Sequence, residues 1–381
     1  MADDFSLVRG GPFHRLMRAA GLARDDRWDP LRQSAAAIAV AWLPFALLAR
    51  AGEEGHLLDN FALHARLLVA IPCFLVAESS LHVRTCRCIG RLLEDGWAPG
   101  QEGAVRAIAG SIERARDAAL PELVLLLGAL AVGQAHLWGH LDPVLARAVS
   151  WGEVTRAPAL FWYGVVALPL FQFLAARWLW RWALWTLALF RISRLHLRPV
   201  ATHPDERGGF VFLSEPSVGF SWVVLGNSAV LAGAGANRIL HAGVGIDALV
   251  PHALALLGVA QILCFGPTFF FVRCLWRTRF AAIRDYGRLA AGYTRGFERR
   301  WIPRIGDEAL LGSPDIQSLA DLANSYAVLQ RMRVVPVTRR ALLVVAVAAL
   351  GPMVALALID VPLTDLLRDV GSTWLGLGPL R

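Results

Sequence analysis

Seven stretches of this chain carry almost no charge, and each is long enough to cross a lipid bilayer. They are 17 to 25 residues long, and a charged residue bounds each end. A helix of about 20 apolar residues spans the hydrocarbon layer. Glu78 is the one charge that falls inside them. The stretches are residues 33–49, 67–83, 123–141, 157–176, 216–237, 248–272 and 341–359.

Composition agrees with a membrane location. The chain has 381 residues, of which 56% are hydrophobic, and its mean hydropathy is +0.49. These values exceed those of soluble domains and predict an all-α polytopic membrane protein with about seven transmembrane helices. All 38 basic residues are arginine, and the formal net charge is +8. Such charge orients spans and meets anionic lipid, so no nucleic acid is expected as a partner.

The arginines predict an orientation for the spans. With the N-terminus in the cytoplasm, the inside segments hold 31 of the 38 arginines and the outside segments hold 7. Cytoplasmic loops carry the excess of basic residues in membrane proteins. The sequence therefore predicts a cytoplasmic N-terminus and a periplasmic C-terminus.

The spans divide the chain into two triplets and a connector, a possible 3+1+3 parallel repeat. The stretch 71-IPCF-74 in span 2 resembles 262-ILCF-265 in span 6. The predicted segments are a cytoplasmic N-terminal segment (1–32), a first membrane triplet (33–156) with a cytoplasmic insert (85–121), connector span 4 with a Trp-rich inner anchor (157–200), a turn (201–215), a second triplet (216–359) with a cytoplasmic insert (274–340), and a periplasmic tail (360–381).

The two inserts predict a cytoplasmic layer of helices. Residues 103–120 place Val105, Ile108, Ile112 and Ala115 on one helix face. The second insert contains a basic stretch, 276–301, and a helix at 313–333. Its predicted N-cap is Ser313, Pro314 suits the first position, and its apolar stripe holds Ile316, Leu319, Ala323 and Tyr326.

Span 5 has small residues on two faces. Gly219, Gly226 and Gly233 recur every seven residues, and so do Ser221, Ser228 and Gly235. Seven residues are close to two helical turns, so each set forms a stripe. Such a helix can pack closely on both sides, or it can line a pore or cavity with Asn227 and Ser228 as its polar lining. Both interpretations are open.

Glu78 lies in the inner third of span 2, about 9 Å from the level of Arg84 at 1.5 Å per residue. A carboxylate at this depth faces protein and finds a partner. His82 lies one turn away, and Arg177, Arg181 and Arg273 have comparable depth on other spans. Glu78 then either forms a structural ion pair with one of these arginines or serves as an ion- or proton-coupling site.

The stretch 201-ATHPDERGGFVFL-213 predicts a structured turn on the inner side, because proline and paired glycines interrupt a helix. Asp205 is expected to accept local hydrogen bonds. A functional His203–Asp205 pair is the alternative.

Catalytic and metal-binding patterns are missing from the sequence. No nucleophile elbow, Walker loop, dinucleotide fingerprint or His-Glu-x-x-His stretch occurs. His82, Cys86 and Cys88 lack a fourth metal ligand, and the five cysteines predict no disulfide framework. We therefore expect no catalytic residue, metal or cofactor.

Three stretches resemble an uncharacterised group of multi-spanning inner-membrane proteins of Gram-negative bacteria. They are 202-THPDERGGF-210, 282-AIRDYGRLAAGYTRGFERRWI-302 and 312-GSPDIQSLADLANSYAVLQRMRVVP-336. The resemblance implies a bacterial inner-membrane location and carries over no functional residue.

Two functions are predicted. The first is a channel or transporter for an ion or small solute, suggested by span 5, the possible repeat and the buried charge. The alternative is a non-enzymatic membrane scaffold or signalling protein that docks a cytoplasmic partner through its helical inserts. Expected partners are membrane lipids, a second copy of the chain and a cytoplasmic protein.

Overall fold

A computed structural model describes residues 5–22, 29–52, 55–94, 96–137, 158–304 and 314–360. These residues form α-helices, short 3₁₀ helices and connecting turns, with no strand among them. The predicted all-α class is therefore confirmed. The outer loop 142–156, the predicted N-cap Ser313 and the tail beyond residue 360 lie outside the described residues.

Twelve helices are described. They are α1 (Gly11–Ala19), α2 (Pro30–Ala41), α3 (Leu43–Ala51), α4 (Phe61–Glu94), α5 (Glu102–Asp117), α6 (Ala119–Leu137), α7 (Pro158–Ser193), α8 (Glu215–Ala242), α9 (Val250–Phe265), α10 (Val272–Trp301), α11 (Pro314–Arg331) and α12 (Arg339–Asp360). A 3₁₀ segment, Gly266–Phe271, joins α9 to α10.

Six helical segments are long and apolar enough to cross a membrane. They are Pro30–Ala51, Phe61–Glu94, Pro158–Ser193, Val211–Ala242, Ile246–Trp301 and Arg339–Ala357. Each contains all or nearly all of one of the predicted spans. The remaining predicted span, 123–141, overlaps α6 as far as Leu137, and its residues 138–141 lie outside the described residues. The six apolar helices thus support the prediction of a membrane protein, and the seventh span stays a prediction.

The helices run further than the uncharged stretches. Helix α4 continues ten residues past Arg84, and α7 continues through the Trp-rich segment to Ser193. Trp178 and Trp185 in that segment are buried against the protein, and the Trp-rich inner anchor stays a prediction. Charges end the hydrophobic stretches but do not interrupt backbone hydrogen bonding, so charge alone marks the membrane boundary and not the helix end.

Helix α8 lies between α4 and α12. On one side, a Cβ added at Gly226 would meet Ala70 Cα at 3.1 Å, and one at Gly233 would meet Phe61 O at 2.7 Å. On the other side, Ser228 Oγ donates to Ala349 O at 2.5 Å. Both small-residue stripes are therefore used for close helix packing, α8 being antiparallel to α4 and parallel to α12.

Helices α4 and α7 are parallel and are joined by polar contacts at two levels. Near one end, Arg66 Nη1 donates to Tyr163 Oη at 2.7 Å, and both residues lie in short π-helical segments. Near the other end, Arg177 Nη1 donates to Glu78 Oε1 at 2.5 Å. The two levels are about 18–21 Å apart at 1.5 Å per residue.

Two helical layers lie outside the spans. Val105 and Ile112 of α5 are fully buried, and Ile108 and Ala115 pack beside them, as predicted. Helices α10 and α11 form a hairpin, called here the α10–α11 hairpin. The predicted stripe of α11 is only partly correct, because Ile316 and Ala323 are exposed while Leu329 is buried.

Candidate functional site

The buried charges of three helices meet in one group, called here the charge cluster: Glu78, Glu122, Arg177 and Arg181. Glu78 Oε1 accepts from Arg177 Nη1 at 2.5 Å and from Arg181 Nη1 at 2.6 Å. Arg177 Nε also donates to Glu122 Oε1 at 3.1 Å. The side chains are 2–8% exposed. Two carboxylates and two guanidinium groups are thus paired away from water.

Residues 5–19, called here the N-terminal segment, cover the charge cluster. Val8 O accepts from Arg181 Nη2 at 3.1 Å. Phe13 N donates to Glu122 Oε2 at 2.8 Å, and Gly11 N donates to Asp117 Oδ1 at 2.9 Å. The first N–H groups of α1 therefore point at carboxylates, which suits the positive end of a helix dipole.

The sequence allows this approach because Gly11 has no side chain. Its φ is 85°, and an added Cβ would lie 2.7 Å from Glu122 Oε1. Upstream, Phe5, Leu7 and Val8 are buried hydrophobic residues, and Ser6 O accepts from Arg116 Nη1. The N-terminal segment is consequently an integral part of the fold, held by apolar burial and hydrogen bonds.

The pairing in the charge cluster is nearly complete. Arg177 Cζ also lies 4.7 Å from the ring centroid of Phe13, and Arg181 Cζ lies 5.1 Å from that of Trp178. Arg177 Nη2 is buried without a protein hydrogen-bond acceptor among the described residues. Removing one partner of such a group would leave a buried charge uncompensated, which costs far more than the intact pair contributes.

His14 lies beside the charge cluster and is half-buried. Burial lowers the pKa of His14 below its ordinary value, and the nearby charges of Arg177, Arg181 and Arg18 lower it further, against the opposing charge of Glu78. The imidazole is therefore held neutral near pH 7.

Two of the three arginines predicted near Glu78 belong to the charge cluster, and the third does not. Arg273 is exposed at the start of α10. His82 does not reach Glu78 either: its Nδ1 lies 2.9 Å from Ser6 Oγ and 3.5 Å from Cys86 Sγ. His82 thus positions the N-terminal segment.

The polar residues of span 5 do not converge on a cavity. Ser221 Oγ donates to Val218 O, and Asn227 Nδ2 donates to Val223 O. Ser228 is buried against α12 through its bond to Ala349 O. Asn227 is exposed on the outer surface of α8. This arrangement favours the packing interpretation of span 5.

The 201–213 stretch is a structured turn, as predicted. Asp205 accepts from the backbone N–H groups of Arg207 at 2.8 Å and Gly209 at 2.9 Å, and His203 Nδ1 lies 2.9 Å from Asp205 Oδ1. Gly209 has φ 86°, and an added Cβ would overlap the Trp97 ring. His203 and Asp205 are therefore explained by the local fold.

Sequence reasoning missed Glu122 and the N-terminal segment. Glu122 stands directly before an uncharged stretch, where a carboxylate is typical of a span boundary and does not indicate burial. Charge balance offered a signal, since two deep arginines on span 4 with one carboxylate would leave a net charge in the bilayer. The short apolar run of residues 5–8 gave too weak a pattern to indicate burial.

The charge cluster can anchor helices or open as an ionic gate, but it lacks features of a catalytic site. Its carboxylates are already neutralised by arginine, and it has no nucleophile beside a base. Groups of three or more histidine, cysteine or acidic residues that could hold a metal are not found in the described part of the chain.

Comparisons of the chain with protein-family models, with curated proteins and with solved structures find no match. The resemblance to bacterial inner-membrane proteins therefore stays a prediction, and function must be inferred from the geometry.

Proposed function

We propose that the protein is a membrane-anchored, non-enzymatic docking protein whose α10–α11 hairpin binds an acidic cytoplasmic protein. The observation that carries this proposal is the exposed aromatic and basic face of α10, called here the docking face: Trp276, Arg277, Phe280, Arg284 and Arg288. Trp276 and Phe280 are 50% and 51% exposed, with ring centroids 4.5 Å apart. Exposed aromatic and arginine side chains are the groups most enriched at the centres of protein interfaces.

The hairpin is organised well enough to present this face. Near its tip, Tyr293 Oη donates to Asp315 O at 3.1 Å, and Trp301 Nε1 donates to Asp315 Oδ2 at 3.0 Å. Near its base, Arg279 Nη2 donates to Gln330 O at 3.1 Å. These bonds hold α10 and α11 together, so the docking face is a fixed helical surface and not a mobile loop.

Charge defines the partner. Helix α10 carries eight arginines and two acidic residues along 30 residues, about 45 Å at 1.5 Å per residue. A lipid headgroup layer is much thinner than 45 Å. An acidic protein surface can follow the whole basic helix, and for this reason we assign the docking face to a protein.

Native purification of the full chain in mild detergent tests the proposal. We expect one acidic protein to be recovered in constant proportion and to bind the purified chain directly. The double substitution Trp276→Ala and Phe280→Ala should weaken this binding at least about 30-fold, because each ring is an interface anchor. The control is Arg106→Gln with Arg114→Gln on α5, which removes exposed charge elsewhere and should leave binding unchanged.

Direct binding that is equal in both variants would contradict the proposal. It would also fail if the Trp276→Ala, Phe280→Ala variant lost affinity for nanodiscs of anionic lipid while no protein partner bound the unaltered chain. In that case the docking face would be a lipid-binding surface.

Transport is a second candidate, favoured by the charge cluster. An ionic network that closes one end of a helix bundle can act as an inner gate if its pairs separate. The ion or small solute would then pass between α4, α6 and α7 after the N-terminal segment moves. Flux of ions into proteoliposomes should rise when Val8→Asp disturbs the segment; flux equal to empty vesicles for both forms would exclude the gate.

A further inference from the structure

A second group of charges lies on the opposite face of α4 from the charge cluster. It lines a cavity of about 80 Å³, called here the basic pocket, whose walls are Arg84, Arg87, Arg91, Glu215, Phe212 and Cys88. Phe212 and Cys88 are buried and form its floor, while Arg87 and Arg91 are exposed at its rim. From this pocket we infer a binding site for the phosphate group of an anionic membrane lipid.

Spacing along α4 brings the arginines to one side. Residues 84, 87 and 91 differ by three and four, so their side chains follow one another along a helix face. Arg84 Nη1 is held by Glu215 Oε2 at 3.2 Å. Glu215 neutralises one of the three positive charges, and the pocket keeps a net charge of about +2 for an anion.

The chemistry selects a phosphate. Guanidinium groups bind phosphate oxygens through parallel hydrogen bonds, and several of them can share one phosphate. A cavity of about 80 Å³ is the space of two to three waters at about 30 Å³ each, the size of one phosphate group rather than a larger metabolite.

The position in the fold selects a lipid as the source of that phosphate. Arg84 ends the uncharged stretch of span 2, and Glu215 directly precedes that of span 5. Because α4 and α8 pack antiparallel, these two boundaries meet at one level, where the apolar spans end and lipid phosphates lie.

Apolar surface continues from the pocket towards the membrane interior. Val83 is 43% exposed one turn before Arg87, and Trp222 is 39% exposed two turns after Glu215 on the same face of α8. An acyl chain attached to the bound phosphate would lie against these side chains. A free phosphate ion would leave them without an apolar neighbour.

Lipid binding to the full chain in detergent tests this inference. Native mass spectrometry would count phosphatidylglycerol bound during a titration, with phosphatidylcholine as the zwitterionic comparison. We expect preference for phosphatidylglycerol and a loss of affinity of about 20- to 30-fold in the Arg87→Gln, Arg91→Gln double variant, since each basic residue contributes about fivefold near an anionic lipid. Both side chains are exposed, so the variant should remain folded.

The matched control removes the same charge from α5 by Arg106→Gln with Arg114→Gln, at two exposed positions that belong to neither binding surface. An equal loss in both variants would show attraction to basic surface in general and would overturn the inference. Inorganic phosphate is the second probe. If it displaces phosphatidylglycerol completely at equal concentration, the acyl chain contributes nothing and the assignment to lipid is wrong.

Discussion

Glu78 accepts hydrogen bonds from two guanidinium groups with one oxygen atom, and this arrangement makes its charge indispensable. Arg177 and Arg181 are each about 2% exposed, so neither could be solvated if the carboxylate were neutral. Glu78 is thus part of a four-residue network, which is larger than the single Glu–Arg pair that the sequence predicts.

We expect Glu78→Gln to lower the free energy of unfolding by about 3–5 kcal/mol, because it leaves two buried positive charges with one remaining carboxylate. Thermal unfolding in detergent measures the change. The control Asp285→Asn breaks an exposed pair with Arg284, at 60–65% side-chain exposure, and should change stability by less than about 1 kcal/mol. Equal losses in the two variants would show that the charge cluster is not what stabilises the bundle.

His14 predicts a pH dependence of stability. Its pKa in the folded protein lies below the ordinary value of about 6.5, so the unfolded chain binds a proton more readily. Stability from the neutral imidazole is therefore complete above pH 6.5 and decreases as pH falls through the folded-state pKa. Unfolding midpoints between about pH 7.5 and about pH 5.5, roughly one unit on either side of 6.5, measure this slope.

In the His14→Gln variant the slope should flatten, whereas His252→Gln, at an exposed position, should retain it. An unchanged slope in His14→Gln would mean that the imidazole titrates alike in the folded and unfolded chain. A further loss of stability below about pH 4 comes from Asp117 and not from His14. Hydrogen bonds from Arg116 lower the pKa of Asp117, so protonating this carboxylate in acid favours the unfolded chain.

At the scale of elements, α8 connects the two sides of the bundle through its glycines. Gly233 lies so close to the backbone of α4 that an added methyl group would force the two helices to move apart. Gly258 on α9 has open space around the position of its Cβ and serves as a matched control.

We expect Gly233→Ala to destabilise the protein by about 1–3 kcal/mol through overpacking, although alanine favours a helix over glycine. Gly258→Ala should be neutral or stabilising by up to about 1 kcal/mol. Unfolding of the two variants in detergent gives the comparison. A neutral Gly233→Ala would mean that α4 and α8 are not in close contact.

The sequence predicts elements better than contacts, and the reason is physical. Uncharged length predicts spans, and the two seven-residue repeats of small residues in span 5 predict two faces that allow close approach; α4 and α12 contact these two faces. Pairing within the charge cluster depends on which helices are neighbours, and spacing along one helix carries no information about that. Arg273 and Arg177 have similar predicted depth, yet one is exposed and the other is buried.

At the scale of the whole molecule, helix directions bear on topology. Helices α4 and α7 are parallel, so the chain between them must return to the side on which α4 began. A crossing by α6 would make this return, and that crossing stays a prediction. The packing partners of the two triplets differ, since α12 contacts α8 while α6 contacts α7. The parallel repeat therefore stays a prediction.

The arginine distribution predicts which side is cytoplasmic, and cysteine labelling can test it. We expect Asp285→Cys on α10 to react with an impermeant maleimide only after the membrane is permeabilised, and Asp247→Cys to react in intact cells. Both positions are exposed. The unaltered chain gives the background from its native cysteines, and the reverse labelling pattern would invert the topology.

Coverage of the charge cluster by the N-terminal segment has a consequence for synthesis on the ribosome. Val8 is translated 173 residues before Arg181, its hydrogen-bond donor. Because translation adds about 5–20 residues per second, the N-terminal segment exists for roughly ten to thirty seconds before α7, which it contacts, has been synthesised. Both carboxylates also emerge before either arginine, so the nascent chain carries unpaired acid until α7 arrives. Folding is therefore complete only when the N-terminal segment packs against α7, which is made much later.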